Sequence, residues 1–153
     1  MTPRVLILAY GNPLRSDDGV AWRAAELLRA KLSLADAEIV CTHQLTPELA
    51  ESAAHVDRVI FIDAANGDKP GQVRCHNDLD QIAGSGSSHW LTPAQLLDLG
   101  EVLYGNRPQH FVVSIAGENF EHGDTLSAVV ESALPQLVQT VLTLVTSPVC
   151  SAT

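Results

Sequence analysis

The chain has 153 residues, a length that suits a single folded domain. Its composition, 46% hydrophobic but only 5% aromatic, predicts a core of aliphatic side chains. The formal net charge of -9 argues against a nucleic-acid partner, because binding to phosphates needs a basic surface. The apolar runs are too short or too interrupted to span a membrane, and the first lacks a signal-peptide cleavage site. We therefore expect no membrane association and a cytoplasmic location.

Apolar runs of strand length alternate with segments of helical periodicity, which is the pattern of a sheet covered by helices on both faces. The predicted strands are residues 4–9, 38–42, 58–62, 71–76 and 110–116. The predicted helices are residues 20–32, a short helix from Thr46, residues 92–104 and residues 126–145. This order predicts an α/β fold in one domain over residues 1–146, followed by a flexible tail over residues 147–153.

Polar residues and prolines predict how these helices begin and end. Ser16 or Asp17 is expected to cap the first helix, and Thr46-Pro47 to open the second with a cap and a proline at its first position. Thr92-Pro93-Ala94-Gln95 is a capping box for the third. Pro135 lies inside the last helical stretch and is expected to kink it or divide it in two.

Three side chains could converge at one edge of the predicted sheet. Asp18 follows the first strand, Asp63 closes the third, and His89 ends a loop rich in Asp, Gly and Ser over residues 77–88. Ligands of open α/β sheets bind at the carboxyl ends of the strands, and two carboxylates with one imidazole form a plausible metal site. Taken singly, Asp63 could instead make only an Asx-turn, and His89 could be incidental among six histidines.

Other kinds of site are disfavoured. The first loop lacks the lysine of a P-loop and the three-glycine dinucleotide motif, and Asp17 and Asp18 would repel phosphate, so we expect no nucleotide. No C-x-x-C pair or G-x-S-x-G motif is present, and Cys41 and Cys75 are predicted to be packed thiols. The other histidines are expected to have surface or capping roles. Two acidic residues after the last strand, Glu118 and Glu121, could line the same edge.

Four segments of the sequence share their order and spacing with one known family. They are Gly11-Asn12-x-Leu14-x-x-Asp17-Asp18-Gly19, Phe61-Ile62-Asp63-Ala64, Ser88-His89 followed by Leu96-Leu97 and Leu103-Tyr104-Gly105, and Ile115-x-Gly117 followed by Gly123-x-x-Leu126-Ser127. In these segments, which span nearly the whole chain, the sequence resembles the hydrogenase maturation endopeptidases.

The resemblance implies a three-layer α/β/α sandwich with a five-stranded, mostly parallel sheet. It also implies an endopeptidase that removes a C-terminal peptide from the precursor of a nickel-iron hydrogenase large subunit after nickel insertion. The metal-contacting positions of the family fall on Asp18, Asp63 and His89. The implied metal is nickel presented by that precursor, which is the implied partner, and the hydrolysis is either metal-assisted or driven by aspartate.

The chain departs from the family pattern at a few positions. Ala9 and Ala21 stand where relatives often have glycine, and Cys41-Thr42-His43-Gln44 replaces an Asp-Gly-Gly-Thr-like turn, which bears on the choice of partner. Two alternatives stay open. One is a nickel-site chaperone that binds the immature subunit without cutting it. The other is a small-molecule hydrolase on the same fold, which would need a deep pocket near Asp63.

Overall fold

The computed structural model describes residues 4–77 and 91–148, which form a five-stranded sheet and four α-helices. The strands are β1 (Val5–Tyr10), β2 (Glu38–Thr42), β3 (Arg58–Ala65), β4 (Val73–His76) and β5 (Gln109–Ala116). The helices are α1 (Val20–Lys31), α2 (Leu49–Ala54), α3 (Pro93–Tyr104) and α4 (Ala128–Thr146), and a short 3-10 helix (Ser16–Gly19) precedes α1. All five predicted strands are present, and β3 continues three residues beyond its predicted end.

The sheet has the strand order β2-β1-β3-β5-β4, with β4 antiparallel to β5 and the other pairs parallel. The central strands are apolar on both sides because helices cover both faces. One core contains Ile7 and Ile62 with α1 and α4, and the other contains Leu8 and Phe61 with α2 and α3. The predicted α/β/α sandwich with a mostly parallel sheet is therefore confirmed.

Helix α4 is the longest element and supplies much of the first core. Its buried side chains recur at helical spacing: Val130, Leu134, Leu137, Val138, Val141 and Val145. Among the described residues α4 is the one helix long and apolar enough to cross a membrane by length and composition, and here its apolar face packs against the sheet. It runs unbroken through Pro135, so the division that was one of two predicted outcomes does not occur. Pro135 is exposed, and water can bond the carbonyl that loses its helical partner.

The C-terminal end of α4 is held by a buried arginine from the start of β3. The Arg58 guanidinium donates to the carbonyl oxygens of Leu144, Ser147 and Pro148, the last two at 2.8 and 3.1 Å. Its Nε donates to Gln109 at 2.8 Å. The first two residues of the predicted tail are thus bonded to the domain, while residues 149–153 lie outside the described residues.

Local signals predicted some helix ends better than others. The capping box of α3 is present, with reciprocal bonds between Thr92 and Gln95, and the helix ends at Tyr104 as predicted. The prediction for α2 was wrong: a turn bonded from the Leu49 amide to the Thr46 carbonyl comes first, and the helix begins at Leu49 without a side-chain cap. The prediction of a packed thiol was also wrong for Cys75, which is exposed on the edge strand β4.

Candidate active site

The candidate site lies beside β1 and β3, at the point where the order in which the strands are connected changes direction across the sheet. Strand β1 is flanked by β2 on one side and by β3 on the other, so the carboxyl ends of β1 and β3 border a switch point, where open α/β sheets bind their ligands. The register pairs Ala9 with Ile62, which brings Tyr10 level with Asp63. Side chains alternate along a strand, and Tyr10 and Asp63 point to the face that α2 and α3 cover.

Asp63 lies inside β3, paired with Ser114 of β5, and is half-buried. The alternative in which Asp63 makes only an Asx-turn does not hold, because the strand continues to Ala65. Burial and the negative charge of Asp18 raise the pKa of Asp63 from its ordinary value to about 7, despite hydrogen bonds from the Ala64 amide and the Tyr10 hydroxyl. A carboxyl group with this pKa exists in both protonation states near neutral pH.

Tyr10 is a site residue that sequence reasoning missed. Burial and the nearby charges of Asp63 and Asp18 raise the pKa of Tyr10 well above its usual range, so the phenol stays protonated and can donate to Asp63. The signal was present in the sequence as the one aromatic residue ending an otherwise aliphatic strand. Whether Tyr10 lies beside Asp63 depends on the register between β1 and β3, which the sequence did not specify.

Asp18 lies in a tight connection between β1 and α1, residues 11–19, which we call the Asp18 turn. The Asn12 amide donates to Oδ2 of Asp18 at 2.7 Å, and the Asp18 amide donates to the Arg15 carbonyl oxygen at 3.1 Å. Gly11 has φ +146 and lies against the Asp18 backbone. The Asp18 carboxylate is therefore oriented by the turn that carries it, and it lies close enough to Asp63 for its charge to raise the pKa of that carboxyl group.

Asp17 is fully buried and bonds the segment between β5 and α4, residues 117–127, which we call the β5–α4 segment. Its carboxylate accepts hydrogen bonds from the amides of Glu118, Asn119 and Ser127 at 2.8, 2.9 and 2.7 Å, and from the Ser127 hydroxyl at 2.8 Å. Burial alone would raise the pKa of Asp17, but these bonds lower it below its ordinary value. Asp17 is thus charged and enclosed, an environment that does not suit a general base.

The prediction that Ser16 or Asp17 caps α1 was wrong. Helix α1 begins after Gly19 without a side-chain cap, and the Ser16 hydroxyl donates to the Glu121 carbonyl oxygen at 2.8 Å. Both side chains reach across to the β5–α4 segment, more than 100 residues away in sequence, and local patterns carry no signal for such a contact. Glu118 and Glu121 belong to the β5–α4 segment, and their side chains are exposed. They lie near the carboxyl edge of the sheet, where the candidate site is.

The third predicted member, His89, lies outside the described residues. It precedes by three positions Thr92, the N-cap of α3. The opposite end of that helix packs Tyr104 against His55, with ring centroids 5.6 Å apart, at the far edge of the sheet. Helix α3 therefore begins at the edge that carries Asp18 and Asp63. Within residues 4–77 and 91–148, no three His, Cys, Asp or Glu side chains come together as a metal-binding group.

One histidine that was expected to have a surface or capping role borders the Asp18 turn. His43 is exposed and packs edge-on against Trp22, with ring centroids 5.7 Å apart. Trp22 donates from its indole nitrogen to the Gly11 carbonyl oxygen at 2.9 Å, and the Gly11 amide donates to Thr42 at 3.1 Å. The end of β2 is thereby fastened to the Asp18 turn.

A groove of about 470 Å³ lies at the opposite edge of the sheet. It is lined by residues at the starts of β1 and β2 and at the end of α2, among them Val5, Glu38 and His55. It is remote from Asp63 and so does not supply the deep pocket that a small-molecule hydrolase would need there.

Comparisons with known proteins agree with the fold. A family model for hydrogenase maturation proteases matches residues 24–144. A search of curated protein sequences gave no match. The hydrogenase maturating endopeptidase HybD from E. coli is 25% identical, with 92% of this chain and 91% of that chain covered and a TM-score of 0.80. The NiFe hydrogenase maturation protease HybD from Thermococcus kodakarensis is also 25% identical, with 93% and 99% covered and a TM-score of 0.73.

Proposed function

The chain belongs to the hydrogenase maturation protease family, and from this premise we propose that it removes a C-terminal peptide from the precursor of a nickel-iron hydrogenase large subunit. The observation that carries this proposal is the pair of carboxyl groups, Asp18 and Asp63, at the switch point of the sheet. They interact strongly enough to help raise the pKa of Asp63 to about 7. A cytoplasmic location stays a prediction.

Peptide hydrolysis needs a group that takes a proton from water and returns it to the departing amine. A general acid–base group works best when its pKa lies near the working pH, and Asp63 meets this condition. Ionised Asp63 accepts the proton as water attacks the scissile carbonyl, and the protonated group then donates it to the leaving nitrogen. Tyr10 stabilises the Asp63 carboxylate by donating a hydrogen bond to it. The negative charge of Asp18 makes that carboxylate more basic.

The same two carboxylates suit a divalent cation presented by the substrate. Two negative groups that repel each other in a partly buried setting are stabilised when a cation enters between them. We propose that Asp18, Asp63 and His89 contact the nickel ion of the loaded precursor. A bound divalent metal polarises a carbonyl group and lowers the pKa of a bound water. Asp63 would act as the base when its carboxylate is not in contact with the metal.

The proposal is tested with purified protein and two forms of one large-subunit precursor, one loaded with nickel and one free of it. Intact mass spectrometry of the precursor reports loss of its C-terminal peptide. We expect cleavage of the nickel-loaded form only. Binding of the loaded precursor without any cleavage would contradict the protease function and support the chaperone alternative. Equal cleavage of both forms would support a protease but contradict recognition of nickel.

A further inference from the structure

We propose that Asp17 is a positioning residue for this reaction. By docking the β5–α4 segment against the Asp18 turn, its buried carboxylate fixes the direction in which Asp18 points. The catalytic consequence rests on the proposed function, whereas the positioning itself does not. Asp17 contacts neither substrate nor metal and acts only through Asp18.

The first support is the number and quality of the bonds that Asp17 makes. Four donors from three residues surround one carboxylate, all within 2.9 Å. Hydrogen bonds to an ionised acceptor are stronger than neutral ones, and a group with several of them has little freedom to move. In addition, the Asp17 amide donates to the Asn119 carbonyl oxygen at 2.9 Å, so backbone and side chain are both fixed to the same segment.

The second support is backbone strain just before the two aspartates. Ser16 has φ +52, the left-handed region that residues other than glycine seldom adopt. Such a conformation persists only when the surroundings determine it. The surroundings here are the β5–α4 segment, because the Ser16 amide donates to Gly123 at 2.9 Å and its hydroxyl donates to Glu121 at 2.8 Å. Ser16, the strained residue before the two aspartates, is therefore held by the same β5–α4 segment that Asp17 binds.

The third support is the closeness of the fit between the two segments. A Cβ atom on Gly123 would lie 2.9 Å from Oγ of Ser16, and one on Gly117 would lie 3.1 Å from Cβ of Asp17, as well as 2.5 Å from the Phe120 ring of its own segment. The β5–α4 segment approaches the Asp18 turn so closely that side chains at these positions would push the two apart. Small residues at these two positions permit the short bonds to Asp17.

The link to Asp18 is covalent and short. Asp17 and Asp18 are consecutive in one 3-10 helix, Ser16–Gly19, so a rotation that releases Asp17 also redirects Asp18. The Asn12 amide reports the outcome, because its donation to Oδ2 of Asp18 at 2.7 Å exists only while Asp18 keeps its direction. Amide hydrogen exchange at Asn12 therefore measures the positioning without any substrate.

The experiment compares Asp17→Asn with a matched control, Asp57→Asn. Asp57 also accepts a backbone hydrogen bond, from the Arg4 amide at 2.7 Å, but at the opposite edge of the sheet. Ser127→Ala is a milder variant that removes only the hydroxyl donor. Each is assayed on nickel-loaded precursor below its unfolding temperature, and exchange at the Asn12 amide is followed by NMR.

We expect Asp17→Asn to lower kcat by about 100-fold, since small misplacements of a reacting group have effects of this size. Protection of the Asn12 amide should fall about tenfold. Ser127→Ala should move both quantities in the same direction by about fivefold, and Asp57→Asn should change neither. If Asp17→Asn does not fold, Ser127→Ala carries the test.

The outcomes separate this inference from the proposed function. Normal kcat and normal Asn12 protection in folded Asp17→Asn, or in Ser127→Ala if only that variant folds, would overturn the positioning role. If the wild type fails to cleave the precursor but Asn12 protection still falls in the variant, the protease function is wrong while the positioning stands. Equal losses in Asp17→Asn and Asp57→Asn would show a general effect of stability and would also overturn it.

Discussion

Gly11 lies so close to Asp18 that a Cβ atom on Gly11 would stand 2.1 Å from the Asp18 carbonyl oxygen. Gly11 also has φ +146, which other residues rarely adopt. We therefore expect Gly11→Ala to lower the free energy of unfolding by more than about 2 kcal/mol and to abolish peptide cleavage. Chemical denaturation and the precursor assay measure the two effects.

Gly105 provides the control for that substitution. It also has a positive φ, +77, but a Cβ atom there would meet nothing within 4 Å. Gly105→Ala should lower the free energy of unfolding by only about 1 kcal/mol, the backbone penalty alone, and should leave cleavage intact. Similar losses in both variants would show that the contact with Asp18 is unimportant.

The pKa of Asp63 is directly measurable. Burial and the Asp18 charge raise it to about 7, so a carboxyl carbon titration by NMR should find a midpoint near neutral pH in the wild type. Removing the charge in Asp18→Asn should lower the midpoint, while burial keeps it above the ordinary value of 3.8. A wild-type midpoint near 4 would contradict the assignment of Asp63 as the proton-transfer group.

The raised pKa also predicts how stability depends on pH. Folded Asp63 holds its proton up to about pH 7, whereas the unfolded chain releases it near 3.8, so the folded state loses stability as pH rises between these values. Asp63→Asn removes this loss. We expect the variant to be more stable than the wild type by about 2 kcal/mol at pH 8, after allowance for solvent screening, and nearly equal to it at pH 4.

Thermal unfolding across pH 4–8 tests this dependence. At pH 8 the melting temperature of Asp63→Asn should exceed that of the wild type by about 4–8 °C. A site residue whose removal stabilises the fold is consistent with a functional role, since active sites often hold groups at a cost in stability. A difference that grows toward acidic pH would contradict the sign of the pKa shift.

Arg58 should matter for stability and not for chemistry. Its side chain is 1% exposed and bonds Gln109 and the end of α4, far from the carboxyl edge of the sheet. Arg58→Met keeps much of the volume but leaves several carbonyl oxygens without their donor. We expect a loss of about 3 kcal/mol in the free energy of unfolding, with unchanged cleavage per folded molecule. A loss of cleavage per folded molecule would contradict this assignment and indicate that Arg58 contributes to the reaction.

The sequence predicted those elements whose signals are local. Strand β2 has its predicted bounds, Glu38–Thr42, and α3 begins at its capping box and ends before Gly105 in the left-handed conformation. An alternation of short apolar runs and helical segments was enough to predict helices on both faces of a sheet. Helix α2 was misplaced because Thr46 and Pro47 are equally compatible with the turn that precedes the helix.

The candidate site was less predictable because its geometry depends on long-range contacts. The sequence indicated Asp18 and Asp63 as strand-end carboxylates. In the structure the charge of Asp18 raises the pKa of Asp63. The role of Tyr10 depends on register, and that of Asp17 depends on amides 101, 102 and 110 positions away. A buried carboxylate that binds a distant loop and one that caps the next helix have the same sequence signature, Asp before a helix.

The most direct test of the central claim is single-turnover cleavage of the nickel-loaded precursor by Asp18→Asn and Asp63→Asn. Asp36→Asn is the control, because Asp36 is an exposed aspartate that lines the groove at the opposite edge of the sheet. We predict that both site variants fold and cut at least about 100-fold more slowly than the wild type, while the control cuts normally. Wild-type rates of cleavage by folded Asp18→Asn and Asp63→Asn would contradict the claim that these two carboxyl groups perform the reaction.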